Sequence, residues 1–166
     1  MHIRPATTED IPALWRVAKD MGQTHEENYF DRCLEEKSSG KREIFVAESA
    51  AGVIGYVQLI WQPLYPLFRR MDIPELQDLN VVPEARRQGI GGLLVARCEE
   101  EAKEKGKDNI GLGVGLHARF GAAQRLYVAR GYMPDGNGVA YDDKTVTAGE
   151  LRAVDDLLTL KLVKIL

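Results

Sequence analysis

Leu79-Asn80-Val81-Val82-Pro83-Glu84-Ala85-Arg86-Arg87-Gln88-Gly89-Ile90-Gly91-Gly92 carries the pattern from which the rest of the chain is read. Its first half has the composition of a buried strand end. Its second half is a glycine-rich turn with two arginines, entering an amphipathic helix near Ile90. The first turn of a helix leaves backbone N–H groups without intrahelical acceptors, and the helix dipole puts partial positive charge behind them. Such a terminus suits an anion, above all a phosphate or pyrophosphate. Arg86 and Arg87 add full charges, and the glycines admit a ligand close to the backbone. The same letters also fit a plain strand-turn-helix connection with solvated arginines, and the local pattern leaves both readings open.

The chain has 166 residues, enough for one self-sufficient domain spanning 1–166. Its 45% hydrophobic and 28% charged content are ordinary for a globular protein. A net charge of −3, with no segment dominated by Lys and Arg, argues against a nucleic-acid partner. The two cysteines, Cys33 and Cys98, lie far apart, which fits a reducing compartment and disfavours a metal site or disulfide scaffold. Nothing resembles a signal peptide or the ~20 apolar residues of a membrane span. A cytoplasmic protein without membrane partners is expected.

Outward from the motif, the periodicities give the elements. His2 to Ala6 reads as a short strand closed by Pro5, and Thr7-Thr8-Glu9-Asp10 supplies helix-capping residues before a helix to about Gly22. A second, polar helix is expected over about Glu26 to Lys37. Glu43 to Glu48 and Val53 to Trp61 form a hairpin, Gln62 to Pro74 an aromatic loop, and Glu75 to Val82 the strand leading into the motif. The helix after it spans about Ile90 to Lys105. Asn109 to Leu116 alternates Gly111, Gly113 and Gly115 with apolar residues, a strand approached on its glycine face by something large. A helix over about Gly121 to Arg130 follows, then a strand cut short at Pro134, an irregular stretch, and a final strand Leu158 to Leu162. The layout is an α/β (α+β layered) fold.

A Rossmann fingerprint needs a third glycine, whereas Gly89-Ile90-Gly91 is followed by Gly92-Leu93-Leu94, and no P-loop sequence occurs. Arg86-Arg87-Gln88-Gly89-Ile90-Gly91 instead matches the [QR]-x-x-G-x-[GA] signature of the GNAT superfamily of N-acetyltransferases. Leu79 to Glu84 resembles that family's lead-in, and Ala123-Gln124-Arg125-Leu126-Tyr127-Val128-Ala129-Arg130-Gly131-Tyr132 is similar to its second motif. The resemblance covers nearly the whole chain in order. It implies a GNAT-type fold, a central mixed, mostly antiparallel sheet of about six to seven strands flanked by about four helices.

The resemblance further implies acetyl-CoA as cosubstrate and no metal. The pyrophosphate would rest on Arg86, Arg87, Gln88, Gly89, Ile90, Gly91 and Gly92, and backbone groups of Leu79, Asn80 and Val81 would bond the pantetheine arm beside the glycine-bearing strand. Attack on a thioester requires an unprotonated amine, and a lysine-like amine has a reference pKa of about 10.4. Glu75 matches a position where the family places a base, with Asp78 the alternative, and Tyr127 matches the usual acid for the leaving thiolate. The chain departs from the pattern at Phe120, where many members carry asparagine. His117 is a further candidate for the site.

The function expected is transfer of an acetyl group to a primary amine of a small molecule or protein by direct attack in a ternary complex. Neither cysteine lies in the motifs, which disfavours an acyl-cysteine route. The alternatives are a non-catalytic acyl-CoA-binding sensor or interaction module on the same fold, and an unrelated nucleotide-binding protein. Trp15, Tyr29, Trp61, Tyr65, Phe68 and Tyr141, with Glu26, Glu27 and Asp142, fall in segments that form the family's acceptor pocket and would suit a cationic amine. A homodimer through the final strand or the aromatic loop is compatible with the sequence.

Overall fold

Two runs of alternating β-branched and aromatic residues, Arg42–Ser49 (β2) and Gly52–Ile60 (β3), pair antiparallel from Arg42↔Ile60 to Ser49↔Gly52. Around them, a computed structural model describing residues 1–166 resolves the chain into two compact units, Met1–Ile60 with Leu76–Glu101 and Trp61–Glu75 with Ala102–Leu166. In chain order the elements are β1 (His2–Pro5), α1 (Ile11–Asp20), α2 (Tyr29–Ser38), β2, β3, α3 (Pro66–Arg70), β4 (Glu75–Val81), α4 (Ile90–Glu104), β5 (Asn109–Gly115), α5 (Gly121–Ala129), β6 (Met133–Tyr141), β7 (Lys144–Thr145) and β8 (Leu158–Ile165). Eight strands and five helices make this a mixed α/β fold. The extra members relative to expectation are the five-residue α3 and the two-residue β7, both too short to show periodicity.

In the first unit the strands run β1-β2-β3-β4. Leu14, Val17 and Ala18 of α1 and Phe30, Cys33 and Leu34 of α2 are buried, as are Ile44 to Ala47 of β2. Phe30 anchors this core, edge-on to Trp15 at 4.9 Å and to Tyr56 at 5.6 Å. Burying one such side chain is worth about 1.5–3 kcal/mol. Gly55 is required where it stands, because a Cβ there would meet the Asn80 carbonyl oxygen at 2.6 Å. The start of α1 is set by Asp10, whose carboxylate accepts the Thr7 N–H at 2.8 Å and both terminal nitrogens of Arg4 at 2.8 Å each.

In the second unit the order is β5-β8-β6-β7, each adjacent pair antiparallel. β6 runs through Pro134 to Tyr141 rather than stopping at the proline; an irregularity between Pro134 and Val139 absorbs the glycines and the missing N–H. Because β8 is paired on both sides, it offers no open edge, so the final strand cannot accept a partner strand. The aromatic loop folds into α3 and buries Tyr65, Phe68 and Ile73 with Ala140. Phe68, wholly buried, packs in this core and does not line an acceptor pocket. No helix is long and apolar enough to cross a membrane.

Candidate active site

The Arg86–Gly92 stretch forms the turn that opens α4. A 3-10 turn, Pro83–Ala85, precedes it, and Arg87 (φ 58°) and Gly89 (φ 80°) both take left-handed backbone conformations. Those two reversals let the chain double back before Ile90, which is buried and anchors the helix start. Arg86 to Gly89 are exposed. Arg86 donates from Nε to the Val81 carbonyl at 3.1 Å, tying the turn to the end of β4. The helix is 15 residues long, so its N-terminus carries a full macrodipole. The turn thus combines two guanidiniums, glycine access and oriented N–H groups, the requirements of a phosphate cradle.

On β4, Asn80 is buried and its side chain is engaged with Gln23, donating to Oε1 at 3.3 Å and accepting from Nε2 at 3.2 Å. Leu79 and Val81 are half-buried beside it. Asp78 takes φ 52° in mid-strand, a conformation that interrupts the regular pleat. Its Oδ2 accepts hydrogen bonds from the Tyr29 hydroxyl at 2.6 Å and the Gln58 amide at 2.8 Å. Gln58 in turn accepts from Arg42, which pairs with Glu36. Burial, then the Asp78 charge, push the Tyr29 phenol far above its ordinary range. Asp78 is therefore built into a network of the first unit.

Glu75 belongs to the second unit and is 1% exposed. It pairs with the buried Lys161 at 2.7 Å, and the same ammonium meets Asp143 at 2.6 Å and the face of Tyr65 at 5.0 Å from the ring centre. Burial alone would lower the lysine's proton affinity, but the charges and hydrogen bonds of the two carboxylates outweigh it and the net direction is upward. Tyr65 donates to Asp135 at 2.8 Å; burial first, then that bond, pushes its phenol up to about 12. Tyr65 is expected from the sequence in the acceptor pocket, whereas Lys161 and Asp143 went unread as site residues. The only signal was a lysine inside the alternating run Leu158-Thr159-Leu160-Lys161-Leu162, which also fits a solvated strand face.

Tyr127, on α5, is 5% exposed and meets Tyr132 edge-on at 5.8 Å. The glycine face of β5 is filled by the protein itself. A Cβ at Gly111 would overlap the Phe68 ring, one at Gly115 the Phe120 ring, and one at Gly113 would lie 3.1 Å from Lys161 Nζ. The large neighbours expected of a ligand are thus the chain's own side chains. Phe120, where asparagine is usual, is the ring that covers Gly115. It also packs edge-on to His117 at 4.8 Å. His117 pairs with Asp156 at 2.7 Å beside a cleft of about 620 Å³ lined also by Arg119, Val154, Asp155 and Leu157.

Residues 40–134 match the family model described as an acetyltransferase (GNAT) domain. A Bacillus subtilis (strain 168) protein named uncharacterized N-acetyltransferase YhfO is 32% identical over 154 residues, covering 85% of this chain and 95% of that one. Among solved structures, a ribosomal-protein-alanine N-acetyltransferase from Brucella melitensis superposes with TM-score 0.76 at 24% identity over 100% of both chains. The putative acetyltransferase yncA of Salmonella typhimurium, solved with its cofactor acetyl-CoA, gives 0.73 at 20% identity over 99% of this chain and 93% of its own. These two show the fold, while the family match spans the turn, β4, β5 and α5. The chain belongs to the GNAT family and is an acetyltransferase.

Proposed function

We propose that residues 1–166 form one acetyltransferase domain that uses acetyl-CoA to acetylate a primary amine of a small molecule or protein by direct attack within a ternary complex. The observation that carries this reading is the Arg86–Gly92 turn at the head of α4, with left-handed Arg87 and Gly89. The pyrophosphate rests on that turn and the pantetheine arm bonds backbone groups of Leu79, Asn80 and Val81. The bound acetyl-CoA of the Salmonella yncA structure supports the same donor here.

In the proposed reaction Glu75, directly or through water, takes the proton of the incoming amine, which attacks the thioester carbonyl as a neutral nucleophile. Collapse of the tetrahedral intermediate breaks the carbon–sulfur bond, and Tyr127 supplies the proton that the departing thiolate needs. The Glu75–Lys161–Asp143 cluster holds two carboxylates against one ammonium, so a proton arriving at Glu75 neutralises an excess negative charge. Both cysteines are buried, which supports transfer without an acyl-enzyme.

The test is release of free CoA from acetyl-CoA with a polyamine, a peptide with a free α-amino group, a lysine peptide and an aminophosphonate, beside calorimetric titration with CoA. Turnover on one amine is expected, reduced at least about a hundredfold in Glu75→Gln. Binding without turnover on any amine would instead favour an acyl-CoA sensor, and no CoA binding would remove the donor assignment.

A further inference from the structure

The reading of Glu75 as the base leaves its two companions without a role. A lysine almost entirely removed from solvent is strongly disfavoured unless its charge is met, and here it is met twice. Asp143 does this from an unfavourable position. It and Asp142 form the two-residue connection between β6 and β7, with φ 59° and 49°. Both central residues of such a turn need left-handed backbone, which favours Asn-Gly; Asp-Asp is a poor choice on local grounds. The carboxylate of Asp143 reaches back to Lys161 at 2.6 Å, which supplies a reason for the aspartate.

We infer that Lys161 and Asp143 are positioning residues for Glu75: the ammonium fixes the carboxylate in place, and Asp143 restores the negative charge that the ammonium cancels. The inference rests on the proposed role of Glu75 and adds to it the groups that tune it. Groups facing the cluster include Glu75 from β4, Tyr65 and Phe68 from the segment around α3, Asp135 of β6 through the Tyr65 hydroxyl, Asp143 from the β6–β7 turn, and Lys161 itself. Tyr65 stays neutral across the working range, so the two carboxylates and the ammonium decide the charge.

The arrangement requires opposite effects from two substitutions. Removing the ammonium in Lys161→Met leaves two carboxylates close together, and Glu75 then holds a proton at higher pH. Removing the Asp143 charge in Asp143→Asn leaves a one-to-one pair, and Glu75 then releases its proton at lower pH. Asparagine suits left-handed backbone at least as well as aspartate, so this second variant keeps its turn and folds.

Carboxyl ¹³C NMR of the full chain, with Glu75 assigned by loss of its signal in Glu75→Gln, reads the titration midpoint without any acceptor. The midpoint is expected to rise by about one pH unit or more in Lys161→Met, to fall in Asp143→Asn, and to return toward the parent value in Lys161→Arg. The acidic limb of kcat/KM, measured with the panel amine of highest turnover, moves in the same directions. Midpoints that stay put, or move the same way in both variants, overturn the inference. Should Lys161→Met not fold, the Asp143→Asn shift decides alone. If instead Glu75→Gln keeps full turnover and its acidic limb, the base assignment fails, which is distinct from an unmoved midpoint.

Discussion

The Tyr29 hydroxyl donates to Asp78 Oδ2 at 2.6 Å, joining α2 to a β4 residue whose backbone is left-handed. Gln58 shares the same carboxylate. Tyr29→Phe should lower stability by about 1.5–3 kcal/mol, the range for a hydrogen bond to a charged group. Asp78→Ala should cost more, since it removes the acceptor of both the Tyr29 hydroxyl and the buried Gln58 amide. Urea denaturation of both variants measures this. A Tyr29→Phe protein as stable as the parent would mean the bond contributes nothing.

Acid stability should depend on Asp10. Its hydrogen bonds with Arg4, partly opposed by burial, hold its carboxyl below the usual range. A depressed folded-state value contributes stability that is present above the unfolded value near ~3.9 and lost as pH falls through the folded one. Thermal unfolding from pH 6 to pH 2 should therefore show a drop below about pH 4 that Asp10→Asn flattens, and Asp10→Ala should cost about 2 kcal/mol at neutral pH.

Stability and cofactor affinity should separate at Arg87. Glycine adopts φ 58° without strain, so Arg87→Gly is expected to hold or raise Tm. The same change removes a guanidinium from the proposed pyrophosphate turn, and CoA affinity should fall about five- to tenfold. Calorimetric titration beside differential scanning fluorimetry checks both. Unchanged affinity would take Arg87 out of the anion site.

Gly115 and Phe120 should be energetically coupled. Gly115→Ala drives a methyl into the Phe120 ring and is expected to cost about 1–3 kcal/mol. In a Phe120→Ala background the same substitution should cost far less. A double-mutant cycle that closes additively would show that the two do not share space.

Neither thiol should react in the folded protein. Cys98 is wholly buried and desolvation pushes its thiol well above the ordinary value; burial does the same to Cys33. Iodoacetamide labelling should therefore proceed at the rate of unfolding, and Cys33→Ala with Cys98→Ala should retain turnover.

The sequence made legible what rests on local periodicity and glycine placement: the β2–β3 hairpin, the strand ending at Val81, the turn at Arg86–Gly92, and α4 and α5 to within a residue or two. It hid what depends on partners distant in the chain. Lys161 and Glu75 are 86 residues apart, and no pattern within either strand announces their pairing. The glycines of β5 correctly signalled close approach, but not that Phe68, Lys161 and Phe120 are what approaches. Pro134 read as a strand terminator because the irregularity that accommodates it belongs to pairing with β8, which local sequence does not encode. The proposed base Glu75 and proposed acid Tyr127 came from family resemblance rather than from any feature of their neighbours.

The two-residue β7 has a bearing on how copies of the chain meet. It closes its end of the β5-β8-β6-β7 run with Lys144 and Thr145, both exposed. At the outer end of β1-β2-β3-β4, β1 is only four residues long, and its Pro5 has no N–H to offer. A strand arriving from outside would find a short, charged template at either place, the arrangement by which sheets discourage growth into aggregates. The protein should accordingly tolerate high concentration without fibril-like association.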